Sequence, residues 1–143
     1  MKQRSPWAAL AGIVVVLVFV AWNQGWLPIG KPTATPALHL GCSDLHHGCS
    51  ILINGAQYRV RSAQPLSGAH PVDLTLEGSA IKAATASWQM NGMDMGPNQF
   101  KFVHQGEHWV AETALPLCSQ GRRDWLLTLQ IDDITVLINT VSQ

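Results

Sequence analysis

"WLLTLQIDDITVLINTV", residues 125 to 141, is a pair of alternating runs hinged on two aspartates. Trp125, Leu127, Leu129 and Ile131 recur at every second position before the hinge, and Ile134, Val136 and Ile138 do so after it. Successive side chains of an extended strand point to opposite faces, so a period of two gives each run one apolar face. Asp132 and Asp133 fall between the runs as solvated turn formers, their carboxylates projecting apart. The stretch reads as a β-hairpin, and it sets the pattern for the rest of the domain.

Working outward, short alternating or apolar runs recur about every eight to twelve residues: 50–53, 57–61, 71–76, 81–90, 99–104, 109–114, 125–130 and 134–141. No window carries a sustained helical stripe. Asn54-Gly55 between the first two runs is a type I′ hairpin signal, because both turn positions need positive φ. Gly106 within "HQGEH" marks a further hairpin. Val72, Leu74 and Leu76 share a face, as do Ala84, Ala86, Trp88 and Met90, then Phe100 and Phe102. Strands with one apolar face each predict an all-β, antiparallel two-sheet sandwich of about seven or eight strands, immunoglobulin-like, with Trp88 as its central plug.

The sandwich does not begin at residue 1. After Lys2 and Arg4, "WAALAGIVVVLVFVAWNQGW" (7–26) holds no charge and is bracketed by tryptophans, as membrane-spanning helices are. A cleaved signal peptide shares this layout, but no small-x-small cleavage site follows the apolar part. The expected organisation is a cytoplasmic tail (1–6), a transmembrane anchor (7–26), a linker with Pro28, Pro32 and Pro36 (27–41) and a periplasmic domain (42–143). The basic tail stays inside, which is the single-pass bacterial inner-membrane pattern. Beyond the anchor, over 27–143, seven basic residues face nine acidic ones with no basic run, which argues against a nucleic-acid partner.

If neighbouring strands alternate in direction, the connections sort onto two ends. The end holding "QMNGMDMGPN" (89–98) also receives the segment before Ser50 and the connections 62–70 and 115–123. That gathers Met90, Met93 and Met95 with Cys42, His46, His47, Cys49, His70 and Cys118, and sends His104 and His108 to the far end, roughly 23 Å away across a seven-residue strand.

Three methionines within six positions of a glycine-rich turn point to a soft cation, because thioether sulfur is neutral and polarisable, and Cu(I) is the closest match. Met93 and Met95 are the first candidate ligands. Met90 either joins them or closes the Trp88 face inside the core. In "CSDLHHGC" (42–49), His46 or His47 is a candidate additional ligand, as is His70, although the spacing is no standard zinc pattern. Three cysteines in an exported protein leave one pair and one extra thiol, and the favoured pair is Cys49 with Cys118.

Enzyme motifs are missing. Cys118 is not followed by the His and Met of a blue-copper site, and neither C-x-x-C nor G-x-S-x-G occurs. Arg122, Arg123 and Asp124 read as a strand entry or a local ion pair.

"WQMNGMDMGPNQFKF" (88–102), followed by "LPLC" (115–118) and "GRRDWLLTL" (121–129), resembles small membrane-anchored periplasmic proteins with YtkA-like or FixH-like immunoglobulin-type domains. These are similar in layout to periplasmic copper carriers of cytochrome oxidase assembly, though this chain lacks the H-x-M pair that completes the carriers' site. The resemblance implies a non-enzymatic Cu(I)-binding protein that meets a copper chaperone or cytochrome oxidase, with Met93, Met95 and then Met90 as ligands. The alternative expectation is a metal-free interaction module whose methionine loop is an adaptable apolar contact.

Overall fold

The computed structural model describes residues 12, 15, 16, 20, 37–93, 95, 96, 98–116 and 121–143. Residues 1–33 and 34–143 form separate compact units. In the first, Gly12, Val15, Val16 and Val20 are helical and exposed, and the rest of the expected anchor and the linker up to residue 36 lie outside the described residues. Among the described residues no helix is long and apolar enough to cross a membrane.

The second unit is all β. Its strands are β1 (Leu38–Gly41), β2 (Cys49–Ile53), β3 (Ala56–Ser62), β4 (Val72–Gly78), β5 (Ala84–Gln89), β6 (Phe100–Lys101), β7 (Val103–Gln105), β8 (His108–Thr113), β9 (Asp124–Ile131) and β10 (Ile134–Val141). They make two five-stranded sheets, ordered β1-β10-β9-β5-β6 and β2-β3-β4-β8-β7. The alternating faces become the core: Val72, Leu74, Leu76, Ala84, Ala86, Trp88, Trp125, Leu127, Leu129, Ile131, Val136 and Ile138 are all buried.

Trp88 joins the two layers. Its ring is fully buried and meets Trp125 edge-on, centroids 6.5 Å apart. Its indole Nε1 donates to Thr113 Oγ1 on the opposite sheet at 3.0 Å, and that hydroxyl donates on to the Val72 carbonyl at 2.9 Å. Every polar atom of this buried relay has a partner, which removes the penalty that an unpaired indole or hydroxyl would carry.

Three expectations about the strands are corrected. Residues 38–41, expected as the end of the linker, form β1, which pairs with β10 in parallel, so the sandwich is not purely antiparallel. Leu40 packs against the core from this strand and covers an edge of β10 that would otherwise be open. The single strand expected over 99–104 divides: β6 pairs with β5 in one sheet and β7 with β8 in the other. Phe102 sits at the crossover, buried, its N–H donating to the Ala84 carbonyl at 3.0 Å. The described residues therefore hold ten strands rather than seven or eight.

The turns follow local chemistry. Asn54 and Gly55 have φ of 50° and 82°, as a type I′ turn requires. Asp132, expected as a solvated turn former, instead accepts the N–H groups of Lys82 and Ala83 at 3.1 and 2.9 Å and ties the β4–β5 connection to the β9–β10 hairpin.

Candidate functional site

Among the described residues the end-sorting of the connections holds. Asn91 of the methionine loop lines one cleft with Cys42 and Ser43. Ser62 N–H donates to the Leu45 carbonyl at 2.9 Å, and Gln143 N–H to the Leu66 carbonyl at 3.0 Å. The segments 42–48 and 63–71 and the described residues of 90–98 thus share one rim with the start of β9 and the end of β10. His104 and His108 lie at the other end, on the β7–β8 hairpin, where the His104 ring meets Trp109 edge-on with centroids 5.0 Å apart.

The methionine loop is built as a closed turn. Met93 N–H donates to the Met90 carbonyl at 3.1 Å, and Gly92 at the third position of that turn has φ of 76°, which glycine adopts without strain. Asn98 closes the base. In the β5–β6 register, where Thr85 faces Lys101 and Ala86 faces Phe100, Asn98 is the residue facing Trp88. Its side chain takes the place of a strand partner: Oδ1 accepts the Trp88 N–H at 2.7 Å and Nδ2 donates to the Trp88 carbonyl at 2.8 Å. Nδ2 also reaches the Gly96 carbonyl at 3.4 Å. At the turn itself, Asn91 Nδ2 donates to Asn139 Oδ1 at 3.2 Å, and Arg122 donates to the Asn91 carbonyl at 3.1 Å.

These ties fix the sulfurs differently. Met90 continues the Trp88 face and is 2 % exposed, inside the core. Met93 and Met95 are half-buried and pack against that core from the rim. Met93 and Met95 are therefore partly open at the rim, whereas Met90 is enclosed.

Both histidines of 42–49 are oriented by their Nδ1–H groups. His47 Nδ1 donates to Asp44 Oδ2 at 2.8 Å and His46 Nδ1 to the Ser62 carbonyl at 3.3 Å, with the two rings edge-on at 5.8 Å. A neutral imidazole that donates through Nδ1 keeps its lone pair on Nε2, the arrangement seen in metal-ligating histidines. The His47 bond, followed by the His46 N–H, holds the Asp44 carboxyl below the usual carboxylate range. His70 lies apart, exposed, on a cavity of about 470 Å³ bordered by Gln64, Asp73 and Glu112. No group of three or more His, Cys, Asp or Glu side chains that could hold a metal occurs among the described residues.

The cysteine pairing is corrected. Cys42 bonds to Cys49, not Cys49 to Cys118. β1 delivers Cys42 beside the start of β2, and the chain reverses between them through Gly48, whose φ is 87°. The Cα atoms end 6.1 Å apart, within disulfide reach. Cys118 lies outside the described residues, as does Asp94 of the loop. Arg122 and Asp124 form the expected local ion pair, Nε to Oδ1 at 2.9 Å, and the Arg122 bonds hold the Asp124 carboxyl below its ordinary value.

Asn98, Asn91 and Arg122 were not legible as loop-positioning residues. No protein-family model, curated protein or solved structure matches this chain.

Proposed function

We propose that the chain is a membrane-anchored, periplasmic, immunoglobulin-like domain that binds Cu(I) through the thioethers of Met93 and Met95 and passes it to, or receives it from, a copper chaperone or cytochrome oxidase. The observation that carries this reading is the pair of half-buried methionines on a turn closed by Asn98 and braced by Asn91. Soft donors held before the ion arrives bind with less ordering cost than donors on a free loop. The Cys42–Cys49 disulfide supports an oxidising compartment, and the apolar stretch 7–26 supports the anchor. His46 and His47, each with Nε2 as its lone-pair nitrogen, are the candidate further ligands, and Met90 supplies the floor.

One observation favours a second reading. With Met90 enclosed in the core, the loop offers two reachable sulfurs, and a flexible apolar pair at a rim also suits contact with a partner protein without metal.

Titration of the full-length protein with Cu(I) against a competing chelator separates the two. The copper reading expects one saturable site that Met93→Leu combined with Met95→Leu removes while the β-sheet spectrum is retained. Unchanged binding in the double variant would falsify the thioether assignment, and absence of any site in the parent leaves the interaction reading.

A further inference from the structure

The two sheets end in four edge strands, β1 and β6 on one and β2 and β7 on the other. An edge strand presents unpaired N–H and C=O groups, and proteins ordinarily blunt it by shortness, charge, proline or a bulge. Three of the edges are short and carry an ionisable side chain: β6 has two residues with Lys101, β7 three with His104, and β1 four with His39. β2 is different. Its five residues, Cys49 to Ile53, hold no charge and no proline, and they pair with β3 without a bulge.

The hairpin register decides which groups of β2 are open. In a two-residue type I′ hairpin the residues flanking the turn, here Ile53 and Ala56, exchange both main-chain hydrogen bonds, and the bonding alternates from there. Cys49, Ile51 and Ile53 therefore bond to β3, while Ser50 and Leu52 turn their N–H and C=O groups to the free edge. Among the described residues nothing meets these groups. The chain ahead of β2 leaves the edge clear, because it folds back over β3: the Leu45 carbonyl accepts the Ser62 N–H at 2.9 Å, and the His47 carbonyl accepts the Arg59 guanidinium at 3.2 Å. Leu52 stands at this edge with 67 % of its side chain exposed, the most open large apolar residue described in the sandwich.

The pattern is complementary to itself. Set antiparallel about an axis through Ile51, two copies of β2 overlap along their whole length, and each Ser50 faces the partner's Leu52 as a bonded pair, so every open group gains a partner. Charge permits the same arrangement. Arg59 lies one strand in from the edge, opposite Ser50. The two copies of it would stand about 16 Å apart at the usual strand spacing and rise, twice the Debye length of about 8 Å.

We propose that β2 is a docking edge for a second copy of this chain, paired antiparallel across a two-fold axis at Ile51 so that the two β2-β3-β4-β8-β7 sheets become one. The contact is isologous and closes on itself, and its small size places it in the weak, transient class. It does not depend on the copper reading.

The test uses the full-length protein in detergent micelles, with sedimentation equilibrium run from micromolar to millimolar concentration and amide hydrogen exchange followed residue by residue by NMR over the same range. The expected result is a monomer–dimer equilibrium in which the Ser50 and Leu52 amides exchange more slowly as the dimer fills, while the Ile51 amide, already bonded to β3, is protected throughout. Leu52→Lys, a change at an exposed side chain, weakens self-association about fivefold or more, because the two-fold axis counts each lost cross-strand contact twice. Gln57→Lys, the same charge placed one strand in, stays within about twofold of the parent. A monomer at every concentration overturns the proposal and leaves the edge to a strand of another protein or to water. A dimer that Leu52→Lys does not weaken, or that forms without slowing the Ser50 and Leu52 amides, is held elsewhere and overturns it equally.

Discussion

Asn98→Ala is the perturbation that most directly separates a built methionine loop from a passive one. The side chain makes two short bonds to the Trp88 backbone, at 2.7 and 2.8 Å, and one long one to Gly96 at 3.4 Å. Each short bond contributes about 1 kcal/mol net, and the long one adds little, so truncation is expected to cost about 2 kcal/mol. In a domain of this size that lowers the thermal midpoint by roughly 8 °C. Urea unfolding followed by tryptophan fluorescence measures it, with the midpoint moved and the slope unchanged. Gln99→Ala is the control: its one bond, to Thr85 at 3.4 Å, is exposed, and removal should stay within about 0.5 kcal/mol. The reasoning fails if Asn98→Ala is as mild as Gln99→Ala. In that case Trp88 does not depend on the amide for its backbone partner, and the loop is not held by it.

Thr113→Val should cost about 1 to 3 kcal/mol, because it leaves the buried Trp88 indole N–H without its partner and removes the hydroxyl bond to the Val72 carbonyl; denaturant midpoints measure it, and a loss no larger than that of Gln99→Ala would contradict the relay. The Asp44 carboxyl should titrate below its ordinary 3.8, since the His47 bond and then the His46 N–H favour its charged form. A depressed folded value means that this contribution is fully present above pH 3.8 and disappears as pH falls through the folded value. Carboxyl carbon shifts should show His47→Ala returning the midpoint toward 3.8, and no movement in that variant would remove the bond from the account. Replacing Cys42 and Cys49 together by alanine should cost about 2 kcal/mol, the loop-closure value for a seven-residue separation. Replacing Cys118 alone should leave the Cys42–Cys49 bridge intact in a mass map of the oxidised protein.

Much of the fold was legible because its strands are signalled locally. The alternation in 125–141 fixes which side chains face inward, and Asn54-Gly55 admits one turn type. The sorting of connections onto two ends needed only strand alternation, and it correctly removed His104 and His108 from the rim. What was not legible depends on pairings distant in sequence. β1 is four residues with two leucines after a proline-rich stretch, and nothing local says that β10, almost a hundred residues on, will pair with it in parallel. The division of 99–104 between sheets is likewise set by the edges of β5 and β8 rather than by the residues themselves. The disulfide joins the end of β1 to the start of β2 across the turn at Gly48. Asn98 is readable as a clamp only after the β5–β6 register places it opposite Trp88.

The same disulfide bears on the proposed copper chemistry. Thiolates are stronger donors for Cu(I) than thioethers, and Cys42 shares the rim cleft with Asn91 of the methionine loop. Left reduced, the two cysteines would compete with Met93 and Met95 for the ion and hold it too firmly for release to a partner. Bonded to each other, Cys42 and Cys49 withdraw from the donor set, whereas the thioethers of Met93 and Met95 neither form disulfides nor change their charge with pH. A carrier in an oxidising compartment needs both properties, since its affinity must not drift with the thiol poise around it. On the proposed copper reading, the clamp at Asn98 and the bridge at Cys42–Cys49 would act toward one end: the first would hold the loop that carries the thioethers, and the second would remove two rival donors.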